Sequence, residues 1–181
     1  MLSVKIIDNA LSEKKYQELY KAITDELEFP WYLQNTGVSV EGDGSFQFTH
    51  QFCNQRGSRS SFDYLMTPLY VRLGVNKLYR CKINLTMKTQ KTYEFHPFHT
   101  DISFADGSKE FTYNTAIYYL NTNNGYTLFE DGTKVDSVAN RMVLFEGNRL
   151  HTGATQTDER FKIYRHTIVC ILRYISTSTD V

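Results

Sequence analysis

Tyr113-Asn-Thr-Ala-Ile-Tyr-Tyr-Leu120, Tyr126-Thr-Leu-Phe129 and Arg141-Met-Val-Leu-Phe145 follow one another in the second half of the chain, separated by the polar turns Asn121–Gly125 and Asp131-Gly132. Aromatic and β-branched residues crowd these runs, and such side chains suit a pleated, half-buried surface. Working outward, the same reading places strands at Leu78–Met87 and at Arg165–Ile175, with turns at Glu146–Asn148 and Thr155–Glu159. From residue 78 onward the chain is therefore expected to be all-β.

The first half reads differently. Residues 2–7 alternate loosely, as an opening strand would. From Ser12, a plausible N-cap, to Leu27, the residues Tyr16, Leu19, Tyr20, Ile23 and Leu27 fall on one helical face, and Pro30 lies beyond. Gly42-Asp-Gly44 signals a turn, and Phe46–Phe52 alternates with period two as a strand does. Cys53–Ser61 is polar and reads as a loop. Phe62, Leu65, Met66, Leu69 and Leu73 restore helical spacing, with Pro68 expected to kink or split that helix and Gly74 to end it. Helices first and many short strands afterwards predict a mainly β fold with supporting N-terminal helices. A double-stranded β-helix, the jelly-roll or cupin-like barrel, satisfies the pattern, as does a generic β-sandwich. With 181 residues and 21.1 kDa, one domain is expected over 1–181. Residues 1–77 would supply helical support and first strands, and 78–175 the jelly-roll core.

Twenty Lys+Arg against twenty Asp+Glu leave no cationic surplus, which argues against a dedicated nucleic-acid binder. The longest apolar runs, such as Ile168–Leu172, are far short of the ~20 residues that span a bilayer. Met1–Asp8 carries Lys5 inside its apolar stretch and lacks a signal-peptide pattern. Cys53, Cys81 and Cys170 have no metal-ligand spacing and read as reduced thiols. The expectation is a cytoplasmic protein that does not enter a membrane; the oligomeric state is left open.

Chemistry first becomes specific at His99-Thr-Asp101. In a strand, residues two apart share a face, so an imidazole and a carboxylate would stand side by side. Some fifty residues on, His151 lies in Phe145-Glu-Gly-Asn-Arg-Leu-His-Thr-Gly153, just after a strong strand. Two imidazoles and one carboxylate make the facial triad that leaves three positions of an octahedral iron(II) open. A structural zinc would want four closed ligands, and only His96 sits nearby in sequence. Downstream, Arg165-His-Thr167 opens the last strand. Arg165 and Thr167 share a face, and a guanidinium with a hydroxyl could clamp the far end of a dicarboxylate. Arg160 competes for that role.

The arrangement His99-x-Asp101…His151…Arg165-x-Thr167 resembles the iron(II)- and 2-oxoglutarate-dependent oxygenases, in particular their prolyl-4-hydroxylase-like branch, in the small form encoded by bacteria and phages. Asn114–Asn121 with Tyr126–Phe129, and Arg141–His151, resemble that family's strands between and into its metal ligands. The resemblance covers roughly 78–175. It implies that His99, Asp101 and His151 ligate Fe(II), and that Arg165, Thr167 and Tyr119 grip the distal carboxylate of 2-oxoglutarate. It further implies that O2 is consumed, that succinate and CO2 are released, and that an unactivated C–H bond is hydroxylated. The leading substrate is a prolyl or other side chain of a protein or peptide. A small-molecule or nucleic-acid substrate, or a non-catalytic metal-binding jelly-roll module, are the alternatives. The distance from His151 to the basic residue is longer than in the family, which keeps Arg165 and Arg160 both open.

The remaining candidates carry other readings. His96 could be a cupin-like ligand, but the glutamate that pattern needs is absent. His50, amid Phe46, Phe48 and Phe52, reads as a core histidine, and His166 should face away from Arg165. Arg80 and Lys82 read as outer-face charges, with approach to a cosubstrate as the alternative. Arg56 and Arg59 read as parts of a solvated loop, a lid being the alternative. Whether 52–60 and 88–112 close over the site is left open.

Overall fold

Along Tyr79–Met87 every second side chain is apolar, and that alternation sorts the molecule into two faces. The computed structural model describes residues 3–24, 28–34, 47–75, 77–88, 97–101, 113–157 and 164–173, with the backbone alone at 164–166 and 173. Within them the order is β1 (Lys5–Ile7), α1 (Glu13–Thr24), β2 (Tyr32–Gln34), β3 (Gln47–Asn54) and β4 (Gly57–Ser58). A 3-10 turn (Asp63–Met66), α2 (Thr67–Leu73), β5 (Lys77–Met87), β6 (Tyr113–Tyr119) and β7 (Tyr126–Phe129) follow. The chain ends through β8 (Lys134–Asp136), β9 (Arg141–Glu146), β10 (His151–Gly153) and β11 (Tyr164–Arg173).

An eight-stranded sheet has the order β1-β9-β6-β11-β5-β3-β2, with β4 on β3; a second sheet has the order β10-β7-β8. Neighbours are antiparallel throughout. The chain passes from β6 in the large sheet to β7 in the small one, and again from β9 to β10. That alternation between sheets is the double-stranded β-helix, and it decides against a plain sandwich.

One face of the large sheet presents Cys81 and Ile83 of β5, Ala116 and Tyr118 of β6, Met142 and Leu144 of β9, and Ile168, Cys170 and Leu172 of β11. Leu19 and Ile23 of α1 and Leu69 and Leu73 of α2 belong to the same buried cluster. Each pair lies four residues apart, one helical turn, so each helix lays a single stripe on the sheet. Such buried aliphatic side chains contribute about 1.5–3 kcal/mol each. The opposite face carries Ile117, Tyr119, Val143, Phe145 and Val169, which pack with Phe129 of β7 and Val135 of β8.

Several expectations need adjustment. The first helix runs Glu13–Thr24, with Ser12 C=O accepting from Tyr16 N–H at 2.9 Å; residues 25–27 lie outside the description. Cys53–Ser61 is not all loop: β3 continues through Cys53 and Asn54 and turns back into β4, with Gly57 at φ +105°. Pro68 splits the second helix as expected, standing in the first turn of α2, and Gly74 caps its end at φ 58°. Three short strands, β2, β8 and β10, had no expected counterpart. No helix among the described residues is long and apolar enough to cross a membrane.

One buried side chain ties the N-terminal segment to the barrel. Asn140, in the turn before β9, holds φ 60°. Its Oδ1 accepts from Leu11 N–H and from the Tyr118 hydroxyl, each at 2.9 Å, while Nδ2 donates to Leu11 C=O at 2.9 Å.

Candidate metal centre

β10 is three residues long and is held by β7 through His151↔Phe129, Thr152↔Leu128 and Gly153↔Thr127. On its other side an isolated bridge joins His99 to His151, each N–H donating to the other's C=O at 3.0 Å. That bridge juxtaposes two imidazoles distant in sequence, with ring centroids 4.7 Å apart. Asp101 follows two residues after His99, and its Oδ2 lies 3.5 Å from His151 Nε2. One donor atom from each of the three residues falls within 4.8 Å of the others. Metal–donor bonds of ~2.0–2.2 Å put donors on a common ion roughly 3 Å apart, so modest contraction closes the site.

The surroundings prepare these donors. His99 Nδ1 is 3.1 Å from Pro97 C=O and His151 Nδ1 is 3.0 Å from Arg149 C=O. A carbonyl accepts only, so both Nδ1 atoms carry the proton and both Nε2 atoms keep a free lone pair. Burial, and secondarily the neighbouring His151 ring, pushes the His99 imidazole below its ordinary pKa and favours the neutral, ligating form. Phe145 packs edge-on against His151 at 4.8 Å and fixes its ring. Asp101 Oδ2 is buried with no hydrogen-bond partner, an arrangement costly for a carboxylate. Two free imidazole nitrogens and an orphaned carboxylate oxygen fit a divalent cation. Among the described residues no other group of three such side chains gathers this way. Its N2O composition, open to the cavity, suits ferrous iron better than a closed structural zinc site.

In front of the triad lies a cavity of about 340 Å³. Thr167 lines it, paired with Asn84 on one side and Tyr119 on the other. Tyr119 is fully buried and donates its hydroxyl to Thr127 Oγ1 at 2.7 Å; Thr127 itself lines the cavity. Tyr119 thus reaches the cavity through a threonine. Arg165 pairs its backbone with Thr86, but its side chain, like Arg160 and His96, lies outside the description.

The expectation for Arg80 and Lys82 is overturned. Both line the cavity, together with Asn84 and Thr86 from the same face of β5. The face of β5 that packs toward the helices is the apolar one, so its polar residues turn inward. Arg80 approaches Asp101, with a guanidinium nitrogen 3.9 Å from Oδ1. Burial, then the Arg80 charge, pushes the Lys82 ammonium down to about 8, against an opposing pull from Asp101. Sequence reading missed this because alternation separates two faces without saying which one meets water. The available signal was a strand whose apolar residues already matched two amphipathic helices. His50 is the expected core histidine: Nδ1 donates to Pro30 C=O at 2.8 Å and Nε2 accepts from Ser60 Oγ at 2.8 Å. Arg56 and Arg59 are exposed.

Sheet order, flanking helices and the position of the cluster between the sheets define the class: a double-stranded β-helix of the kind found in 2-oxoglutarate- and iron(II)-dependent oxygenases. Neither a protein-family model nor a curated protein matches the chain in sequence. Similar solved structures include a 2OG-Fe(II) oxygenase-family oxidoreductase from Burkholderia pseudomallei, with TM-score 0.61, 12% identity, and coverage of 94% of this chain and 84% of that one. The viral collagen prolyl hydroxylase of Paramecium Bursaria Chlorella virus-1 gives TM-score 0.58 and 16% identity over 95% and 96% of the two chains. A Trichoplax adhaerens prolyl hydroxylase, solved with a hypoxia inducible factor peptide fragment, gives 0.56 and 14% over 94% and 83%. At these identities the likeness is one of fold.

Proposed function

We propose that this chain is an iron(II)- and 2-oxoglutarate-dependent dioxygenase that hydroxylates an unactivated C–H bond of a protein or peptide side chain, proline foremost. The observation that carries the reading is the meeting of His99, Asp101 and His151 at one end of a polar cavity, with both Nδ1 protons committed to backbone carbonyls. Ferrous iron, when bound with 2-oxoglutarate and O2, supplies oxidative decarboxylation to succinate and CO2 coupled to oxygen insertion.

The chain's own residues bind, orient and exclude water. His99 Nε2, His151 Nε2 and an Asp101 oxygen would hold the ion, and three protein ligands would leave it room for further ligands from the cavity. Thr167, with Tyr119 acting through Thr127, offers hydroxyls to the distal carboxylate of the cosubstrate. Arg165, at the start of the same strand, is the β11 candidate for the counter-charge. Phe145 and Phe129 pack around His151 and keep water from its inner side. The peptide-substrate reading is supported by the neighbours' own names: one is a collagen prolyl hydroxylase and another was solved with a peptide. Buried free thiols at Cys53, Cys81 and Cys170 accord with action in a reducing cytoplasm.

The test is turnover. Protein supplied with Fe(II), O2 and 2-oxoglutarate should form succinate, and Asp101→Ala should abolish it. Prolyl peptides incubated with the protein should gain one oxygen by mass spectrometry. Succinate without any peptide adduct would redirect the substrate to a small molecule; no succinate would favour a non-catalytic metal-binding module.

A further inference from the structure

Cys53, Cys81 and Cys170 are far apart in sequence, yet the register brings them into one row across the large sheet. Cys53 of β3 stands opposite Cys81 of β5, and Cys81 stands opposite Cys170 of β11. All three are free and buried, in the cluster between the sheet and the helices. The three sulfurs are not equivalent. Cys81 Sγ lies 3.1 Å from Cys170 Sγ. Cys53 Sγ turns instead to Tyr70 Oη, 3.6 Å away. That hydroxyl donates to Asp63 Oδ1 at 2.8 Å, so it accepts from the Cys53 thiol and holds it aside. A shared ion would need the three sulfurs gathered as closely as the donors of the triad, and among the described residues only His99, Asp101 and His151 gather so. The row is a thiol pair with a bystander, not a metal site.

The backbone already suits a bond between the pair. Residues directly opposite on antiparallel strands have Cα atoms ~4.5–5.5 Å apart, inside the ~4.4–6.8 Å that a disulfide spans. From their present contact the two sulfurs close to bonding distance by moving about 1 Å. β5 and β11 are interior strands, each paired on both sides, so neither is free to drift from the other. Burial pushes the Cys81 thiol well above its ordinary pKa, which keeps the attacking thiolate scarce and the native reaction slow.

We propose that Cys81 and Cys170 form an oxidative modification site that reacts with hydrogen peroxide and closes to a disulfide, leaving Cys53 a thiol. One of the pair, as thiolate, attacks the peroxide O–O bond; its sulfur becomes a sulfenic acid and the other oxygen leaves as water. The second thiol attacks that sulfur, the S–S bond forms, and the sulfenic oxygen leaves as a second water. Two thiols are oxidised and one peroxide is reduced. The bond joins residues 89 apart and closes a loop that contains His99, Asp101 and His151. Arg80 and Lys82, on either side of Cys81, line the cavity, so the staple fastens a cavity wall from its far side. The proposal stands independently of the dioxygenase reading.

The experiment oxidises the full chain, native and urea-unfolded, with hydrogen peroxide. Each sample is treated with catalase, alkylated with iodoacetamide in urea, digested with trypsin and mapped by mass spectrometry. In the unfolded chain loop closure favours the nearer pair. Cys53 and Cys81 are 28 residues apart, against 89 for Cys81 and Cys170, so Cys53–Cys81 should lead by about sixfold. In the native protein the order should reverse: Cys81-Lys82 should appear linked to His166–Arg173, with Cys53 alkylated. The linked protein should melt about 5–15 °C higher than the reduced one, and dithiothreitol should undo the rise. A third sample, refolded from urea in a glutathione redox buffer, removes any limit set by access, and Cys81–Cys170 should again dominate. The proposal is overturned if Cys53 enters the native linkage as often as Cys170, or if Cys81 and Cys170 go to sulfinic acid in place of a bond. It is equally overturned if both stay thiols after refolding, or if the linked protein melts no higher than the reduced one.

Discussion

Replacing Asn140 by alanine should loosen the whole molecule. The side chain is 3% exposed and serves three partners: the Leu11 N–H, the Leu11 C=O and the Tyr118 hydroxyl, all at 2.9 Å. Its backbone joins the same knot, accepting from Ala10 N–H and donating to Tyr119 C=O, each at 2.9 Å. Alanine would leave three buried polar groups to find water or go unpaired, at ~1–3 kcal/mol each, with water rescuing part of the loss. It would also hold a left-handed φ of 60°, which asparagine tolerates better, adding about 1 kcal/mol. The expected loss is about 4–6 kcal/mol. At ~2–4 °C per kcal/mol for a chain of this size, Tm should fall by about 10–20 °C. Urea denaturation followed by circular dichroism measures it. Asn140→Gly should recover about 1 kcal/mol of the deficit by relieving the backbone, and Asn140→Asp should fare better than alanine because it keeps the acceptor. A loss below ~1 kcal/mol in Asn140→Ala would refute the claim that this residue fastens the N-terminal segment to the barrel.

Three further outcomes are expected. Tyr119→Phe removes the hydroxyl that orients Thr127 and should weaken 2-oxoglutarate binding roughly tenfold with metal content unchanged, as read by charge-transfer titration; equal affinity would show that Tyr119 only fills space. Cys53, Cys81 and Cys170 are buried, and burial pushes the Cys53 thiol up to about 11, leaving ~0.1% thiolate at pH 8. Ellman's reagent should therefore find no fast thiol in the native protein and three in urea, and a fast native thiol would contradict that packing. His50 is held below its ordinary pKa, chiefly by burial and against the pull of Pro30 C=O, so between its folded value and ~6.5 the unfolded state binds the extra proton. Its contribution is complete above ~6.5 and is lost as pH falls from there. The stability difference between the parent protein and His50→Gln should shrink between pH 7 and 5, and a difference that widens on acidification would reverse the sign of the argument.

The long strands were legible because eight to eleven residues of period-two alternation outweigh chance, and β3, β5, β6, β9 and β11 all have long or strongly apolar runs. β10, His151-Thr-Gly153, carries no alternation at all. It is a strand because β7 and the His99 bridge hold it there, which is tertiary information. The same gap hid β2 and β8, each three residues long. The triad was readable because its chemistry demands residue types rare enough to notice. The inward turn of Arg80 and Lys82 was not, since a polar face toward a cavity and a polar face toward solvent have the same pattern in sequence.

Iron binding tests the central claim most directly. Anaerobic protein should take up one ferrous ion per chain and develop a visible charge-transfer band on addition of 2-oxoglutarate. Asp101→Ala and His151→Ala, folded by circular dichroism, should lose both. A parent protein that binds zinc tightly and gives no band, or a His151→Ala variant that keeps the band, would contradict the account.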